Sequence, residues 1–230
     1  MLFRISICLA AGLLTACSTA RMERLPALQA DAVSHKITEM HQTFSSGELA
    51  FGPYRVSAIS RGWIKGKVSG WHVGKLKYEK ASKAQDYSFR FLGHKSWEAE
   101  CRSSKGQQRV SVVSYGIYVD LSCGIVPLEG GATAWEFSFK GNGLAEATGR
   151  INFGQKEISV SPVSTVEGSP LKLGFYTGYY FYLDNSIVAA VDTVSKEGPI
   201  WFKNSLSEDE RDRIGIAAVA LLLNQVVFDS

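Results

Sequence analysis

Four cysteines, four histidines and a knot of carboxylates near the C-terminus are the residues of this 230-residue chain that could ligate a metal, attack a substrate or pass protons. Their spacing serves none of these. His35 and His41 stand six apart, not at the four-residue interval that puts two imidazoles on one helix face. His72 and His94 are isolated beside basic residues, and no Cys–His set has zinc spacing. No G-x-S-x-G turn exposes a nucleophilic serine. The stretch "GWIKGKVSG" at 62–70 has glycines and lysines without phosphate-loop spacing. Glu208, Asp209, Glu210 and Asp212 read as the solvated first turn of a helix. The chain therefore reads as non-enzymatic, with no metal and no cofactor implied.

The cysteines carry a different chemistry. Cys101 and Cys123 lie in strand-like runs, "SWEAEC" and "IYVDLSC". In an exported chain two such thiols are expected to pair, joining two neighbouring antiparallel strands; the alternative is two separate buried thiols. A bridge closing about 22 residues would stabilise by roughly 3 kcal/mol. Cys8 and Cys17 belong to the N-terminus, which reads "MLFRISICLAAGLLTACSTARM". Arg4 supplies a positive charge, and Ile5 to Leu14 is an apolar run too short to span a bilayer.

Leu14-Thr15-Ala16-Cys17 resembles the lipobox of bacterial lipoproteins. The resemblance implies a signal peptide over 1–16, cleavage before Cys17, a diacylglycerol on its thiol and an acyl group such as palmitate on the new amino terminus; the alternative is an ordinary cleaved signal peptide with an incidental cysteine. Two or more chains give durable anchoring, at about 0.8 kcal/mol per buried methylene. Ser18 rather than Asp after Cys17 resembles the outer-membrane sorting pattern of Gram-negative lipoproteins. The expected place is the cell envelope, at the outer membrane and facing the periplasm. Nucleic acid is not an expected partner there.

Charge is uneven along the chain. Between Arg55 and Lys95 ten Lys or Arg face two acids; from Glu129 onward eight bases face thirteen acids. Lys65 with Lys67, and Lys75 with Lys77, fall on alternate positions, which in a strand places each pair on one face. A basic sheet face on an anchored protein suits an anionic lipid, an anionic envelope polymer or an envelope protein. Its alternative is a solvated face that keeps strand edges apart.

The elements that must position these residues are mostly strands. Residues 17–47 carry no period-two pattern and read as anchor and tether, with one short helix over Asp31 to Phe44. From about Tyr54, runs such as "YRVSAISR", "YSFRFL" and "AWEFSFKG" alternate apolar and polar residues, punctuated by glycine and small polar residues. Residues 48–230 thus form a single β domain, a barrel or closed sandwich of roughly 12 antiparallel strands. "GFYTGYYFYLD" at 174–184 sets aromatics on both faces, either a ligand platform or a central strand with one face in the core.

The pattern breaks at Ser207. Ser207 with Glu210 makes a capping box for a helix over about 207–225. Every residue from Ile214 to Leu223 is apolar or glycine. A helix apolar on all sides is buried on all sides or lies in a membrane, and ten residues are half of what spanning needs. The helix is expected to run through the core; the alternative is a sandwich or lipocalin-like barrel with the helix outside. The order "NSIVAAVDTV…GPIWFKNSLSEDERDRIGIAAVALLL" resembles the close of the tubby-like fold, shared by tubby C-terminal domains, LURP-one-related proteins and phospholipid scramblases. No motif here matches that family's phosphoinositide-binding positions. The expected role is a non-catalytic envelope protein binding through its basic face. A module handling lipid or another hydrophobic ligand is the alternative. Partner identity and oligomeric state are not written in the sequence.

Overall fold

The structure, a computed structural model, describes residues 20–23, 26–29, 31–38, 47–73, 76–110, 113–142, 147–169, 171–194 and 198–228. Residues 1–19, Cys17 among them, and Lys75 lie outside them. A one-turn helix α1 (Pro26–Gln29) precedes two short strands, β1 (Ala32–His35) and β2 (Ile37–Thr38). Then come β3 (Leu49–Phe51), β4 (Tyr54–Arg61), β5 (Lys65–Val73), β6 (Leu76–Leu92), β7 (Ser96–Val110) and β8 (Val113–Pro127). The second half holds β9 (Trp135–Asn142), β10 (Thr148–Phe153), β11 (Lys156–Val163), β12 (Gly178–Leu183), β13 (Ser186–Asp192) and β14 (Ile200–Lys203). Helix α2 (Glu208–Phe228) ends the described chain.

All strands belong to one antiparallel sheet, ordered β1-β14-β13-β12-β11-β10-β9-β8-β7-β6-β4-β3-β2, with β5 beside β6 off this path. The two ends of the path are neighbours in sequence. Ala32–His35 pairs with β14 and Ile37–Thr38 pairs with β3, with Lys36 alone between them. One stretch of chain thus bridges both edges, and the sheet curls into a nearly closed barrel. Closing an edge this way removes the unpaired backbone groups that would template aggregation.

This corrects the tether expected over 17–47. Met22 is fully buried and bridges to Val166, and residues 32–38 are strands rather than part of a helix over Asp31 to Phe44. Residues 39–46 of that expectation lie outside the described residues. The physical reason lies in β12 and β13, which are apolar on both faces. Tyr179 and Phe181 face the main core, while Tyr180 and Ala190 face outward and pack with Met22 and Leu28. Without the N-terminal segment that second face would be bare. The aromatic run is a central strand, with Tyr179 and Phe181 in the main core and Tyr180 packed against the N-terminal segment. Phe175, by contrast, is mostly exposed.

Helix α2 runs through the barrel. Each residue from Ile214 to Leu223 except Gly215 is at most 6 % exposed, in one cluster with inward residues of the strands, among them Phe91, Leu121, Phe139 and Val160. Each large aliphatic contributes roughly 1.5–3 kcal/mol on burial. Gly215 lets the helix approach β6: a Cβ there would stand 2.9 Å from the Phe91 ring. The N-terminus is capped as expected. Ser207 donates its N–H (3.0 Å) and its hydroxyl (2.9 Å) to Glu210, whose own N–H donates back to Ser207 Oγ at 3.3 Å. The apolar run ends at Asn224, whose Oδ1 accepts from the buried Ser103 hydroxyl where the barrel interior ends. No helix among the described residues is long and apolar enough to cross a membrane.

Candidate functional site

Strand β6 is 17 residues long, and the barrel uses only its second half. From Tyr87 to Leu92 it pairs with β4 and its odd-numbered side chains point into the core. Before Tyr87, β5 takes the place of β4, pairing Lys65 with Ala84 through Val73 with Leu76. Strands β7 and β8 continue alongside to Val110 and Val113. These four strands form a wing beside the barrel, and along β5 every residue from Lys65 to His72 is exposed, whichever face it takes. Gln85 marks the junction, donating from Nε2 to the Gly62 carbonyl at 2.7 Å.

The wing has two faces, fixed by register. Lys65, Lys67, Ser69 and Trp71 of β5 lie level with Ala84, Ser82, Lys80 and Tyr78 of β6, on the face continuous with the barrel exterior. Gly66, Val68, Gly70 and His72 lie on the other, level with Lys83, Ala81, Glu79 and Lys77. The single basic face expected from alternation is therefore corrected. Lys65 and Lys67 share one side, but Lys77 lies on the opposite one, where it meets Glu79 at 2.9 Å. The register pairs odd-numbered residues of β5 with even-numbered residues of β6, so Lys77 falls on the face opposite Lys65 and Lys67. Lys80, not Lys77, joins Lys65 and Lys67. Lys65 approaches Asp86 at 4.0 Å, both largely exposed, a contact worth little in water.

Apolar side chains stand exposed among these lysines. Trp63 is 92 % exposed, Val68 71 % and Trp71 58 %. Trp71 stacks on Tyr78 with ring centroids 5.7 Å apart. Val68 and Trp71 occupy opposite faces, so both sides of β5 carry uncovered apolar surface. Alternation on β5 foretold exposed lysines; that the strand would lie outside the barrel altogether follows from the excess length of β6, β7 and β8. That length is legible in "LKYEKASKAQDYSFRFL", where the regular inward set begins only at Tyr87.

Cys101 and Cys123 are register partners on β7 and β8, both buried on the inner face with Cα atoms 4.0 Å apart and sulfurs bonded at 2.04 Å. The disulfide joins the two strands at barrel level, beneath α2.

The acids at the start of α2 sit at the other end of the barrel; Glu208 is exposed as expected, but Glu210 and Asp212 are not solvated. Glu210 is 6 % and Asp212 0 % exposed. Asp212 accepts from the backbone N–H groups of His94 (3.0 Å) and Lys95 (2.9 Å) and from Trp97 Nε1 (3.4 Å). Gly93 beside them leaves room for this carboxylate, since a Cβ there would stand 2.2 Å from it. Burial raises the Asp212 carboxyl above its ordinary value despite the three donors. Burial also pushes Glu210 up, but Lys156 at 2.8 Å together with the Ser207 donors overcomes this and holds it below the usual range. Asp209 is likewise held low against burial, by Arg213 at 2.9 Å and Lys95 at 3.3 Å. Glu208 meets His94 at 2.8 Å. Each acid is spent on holding the helix end to the β6–β7 and β10–β11 turns. Arg213 completes the clamp, its guanidinium 5.1 Å from the Trp135 ring centre and 4.8 Å from that of Phe153.

Compared with known proteins, the chain matches no family, no curated protein and no solved structure.

Proposed function

We propose that the chain is a non-catalytic, lipid-anchored protein of the bacterial envelope that binds a partner through the wing. Cys17 carries the lipid, the barrel faces the periplasm from the outer membrane, and β5 with its neighbours makes the contact. The observation that carries the binding role is the exposure of Trp63, Val68 and Trp71 on and beside a strand that also carries Lys65 and Lys67. Aromatic anchors among cations are the composition of an interface core and its rim. Leaving them in water gains the monomer nothing.

The competing role, carriage of a hydrophobic ligand, needs interior volume. Ala217 to Leu221 are fully buried and fill that volume. The layout of strands closed by an inner helix also supports the tubby-like resemblance, as a likeness of architecture without its phosphoinositide chemistry.

Two measurements test the parts separately. In the producing bacterium, alkyne-bearing palmitate is expected to label the native chain and not Cys17→Ala, which should leave the membrane fraction; unchanged membrane association of that variant refutes the anchor. A photo-crosslinking residue at Trp71 is expected to give discrete adducts that the same residue at exposed Phe175 does not. Equal adduct patterns at both positions refute the wing as the binding surface.

A further inference from the structure

We infer that the free edge of β5 is a docking site for an extended acidic segment of a partner protein, which adds to the sheet as a further strand. The inference rests on the wing being the binding surface and names what it binds.

Strand β5 pairs with β6 over all nine residues without a register break. Among the described residues no strand pairs with its other side. The fold closes the two edges of its main sheet with β1 and β2 and leaves this edge open. Nine residues contain no proline and no bulge, so the outward N–H and C=O groups form a regular ladder.

The side chains select the occupant. Residues 63–84 carry six lysines and one glutamate. A second copy of β5 would bring its own lysines against these and is disfavoured by charge. An acidic segment is favoured by the same field. Apolar exposure on both faces, Trp71 on one and Val68 on the other, argues for a strand rather than a lipid surface. A flat bilayer touches one face only, and edgewise insertion would put unpaired backbone into hydrocarbon at a cost of several kcal/mol per group. An added strand covers both faces and pairs the backbone at once.

Alternation then sets the ligand's pattern. On one face its side chains meet Lys65, Lys67 and Trp71, which suits carboxylates with an occasional apolar residue. On the other they meet Val68 between Gly66 and Gly70, a low apolar strip that admits aliphatic side chains. At Gly66 even an added Cβ would find its nearest neighbour 4.0 Å away. The recognised segment alternates acidic and aliphatic residues.

The test uses the full mature chain and a fluorescent peptide that alternates glutamate and valine, read by anisotropy. Saturable binding is expected, weakening with salt. N-methylation of the alternate residues whose N–H groups face β5 should cost about tenfold or more in Kd, while N-methylation of the other set should change it less than about twofold. On the protein, Val68→Pro and Ser69→Pro remove N–H groups that point opposite ways from the strand. The variant whose N–H faces solvent should keep its melting temperature and lose the peptide. Equal tolerance of both N-methylated peptides would reduce the binding to charge and overturn strand addition while leaving the wing as an anionic-surface contact. Absence of saturable binding, or preference for phosphatidylglycerol vesicles over the peptide, would overturn it as well.

Discussion

The phenol of Tyr87 donates a hydrogen bond to the backbone carbonyl of Ala220 at 2.8 Å, across 133 residues of chain. Tyr87 is the first inward residue of β6 at barrel level, and Ala220 lies in the middle of the apolar run of α2. The bond ties the apolar stretch of the helix to the barrel wall, between the clamp at its start and the Asn224–Ser103 bond near its end. Burial drives the phenol's pKa well above its ordinary value, so it remains a donor across the physiological range. Tyr87→Phe keeps the ring packing and removes the donor. A loss of about 1 kcal/mol in denaturant unfolding is expected, since the helical carbonyl retains its place in the backbone ladder. Tyr87→Ala should cost about 3–5 kcal/mol, the range for truncating a buried aromatic.

Ala220→Asp tests the central helix itself. The position is fully buried among apolar neighbours, so a carboxylate there has neither water nor a cation. More than about 4 kcal/mol of destabilisation is expected, enough to prevent folding of a marginally stable domain. An unchanged melting temperature would place α2 outside the barrel.

The Cys101–Cys123 bridge predicts a redox effect on stability. Its loop of 22 residues implies about 3 kcal/mol through restriction of the unfolded chain. The double variant Cys101→Ser, Cys123→Ser should lose that amount with the fold intact, because the register of β7 and β8 extends well beyond the bridge on both sides. Alkylation without reduction should modify neither thiol in the native protein, before or after denaturation.

The helix-end clamp predicts the shape of the acid limb. Glu210 and Asp209 titrate below their ordinary values, so each contributes stability that is present above about pH 4 and lost as pH falls through its lowered pKa. Asp212 is raised, so its sign is opposite: its contribution is present below the ordinary carboxylate pKa and lost as pH rises through the raised one. Urea unfolding between pH 2 and pH 7 should show a fall below about pH 4 that flattens in Asp209→Asn with Glu210→Gln. Gly93→Ala should weaken the same clamp at every pH, because its Cβ displaces the Asp212 carboxylate.

Burial and periodicity were legible in the sequence where a single face decides the pattern. The inward set Tyr87, Phe89, Phe91 and the ten-residue apolar run of α2 declare their environment directly. The capping box at Ser207 is local chemistry and reads without tertiary knowledge. The N-terminal strands did not declare themselves. Ala32–His35 and Ile37–Thr38 are short, and their pairing is set by distant partners in β14 and β3. The available signal was indirect: "GYYFYL" and "SIVAAV" are apolar on both faces, and a second face needs a second cover. At the wing, lysine alternation was visible within each strand, but which pairs share a face depends on the hairpin register. The acids of α2 looked like a solvated turn because composition alone cannot distinguish carboxylates in water from carboxylates clamped to loops.

Ala58 supplies a prediction of the opposite sign. It holds φ at 51°, left-handed and rare for a residue with a Cβ, at the point where β4 slips register against β6 between Ser57 and Ser60. Ser57 and Ala58 are both exposed, which marks a bulge that keeps Val56 and Ile59 pointing inward. The left-handed conformation costs an alanine about 1–2 kcal/mol, and glycine avoids that cost. Glycine adds roughly 0.5–1 kcal/mol of unfolded-state entropy in return. With the side chain exposed there is no packing to lose, so Ala58→Gly should stabilise by up to about 1 kcal/mol, or about 2–4 °C for a domain of this size. A branched residue acts in the reverse direction: Ala58→Val cannot relax into the bulge and should lower the midpoint. If both variants melt with the parent, the bulge is not held in this conformation. The register that turns β4 from the barrel wall toward β5 must then be set elsewhere.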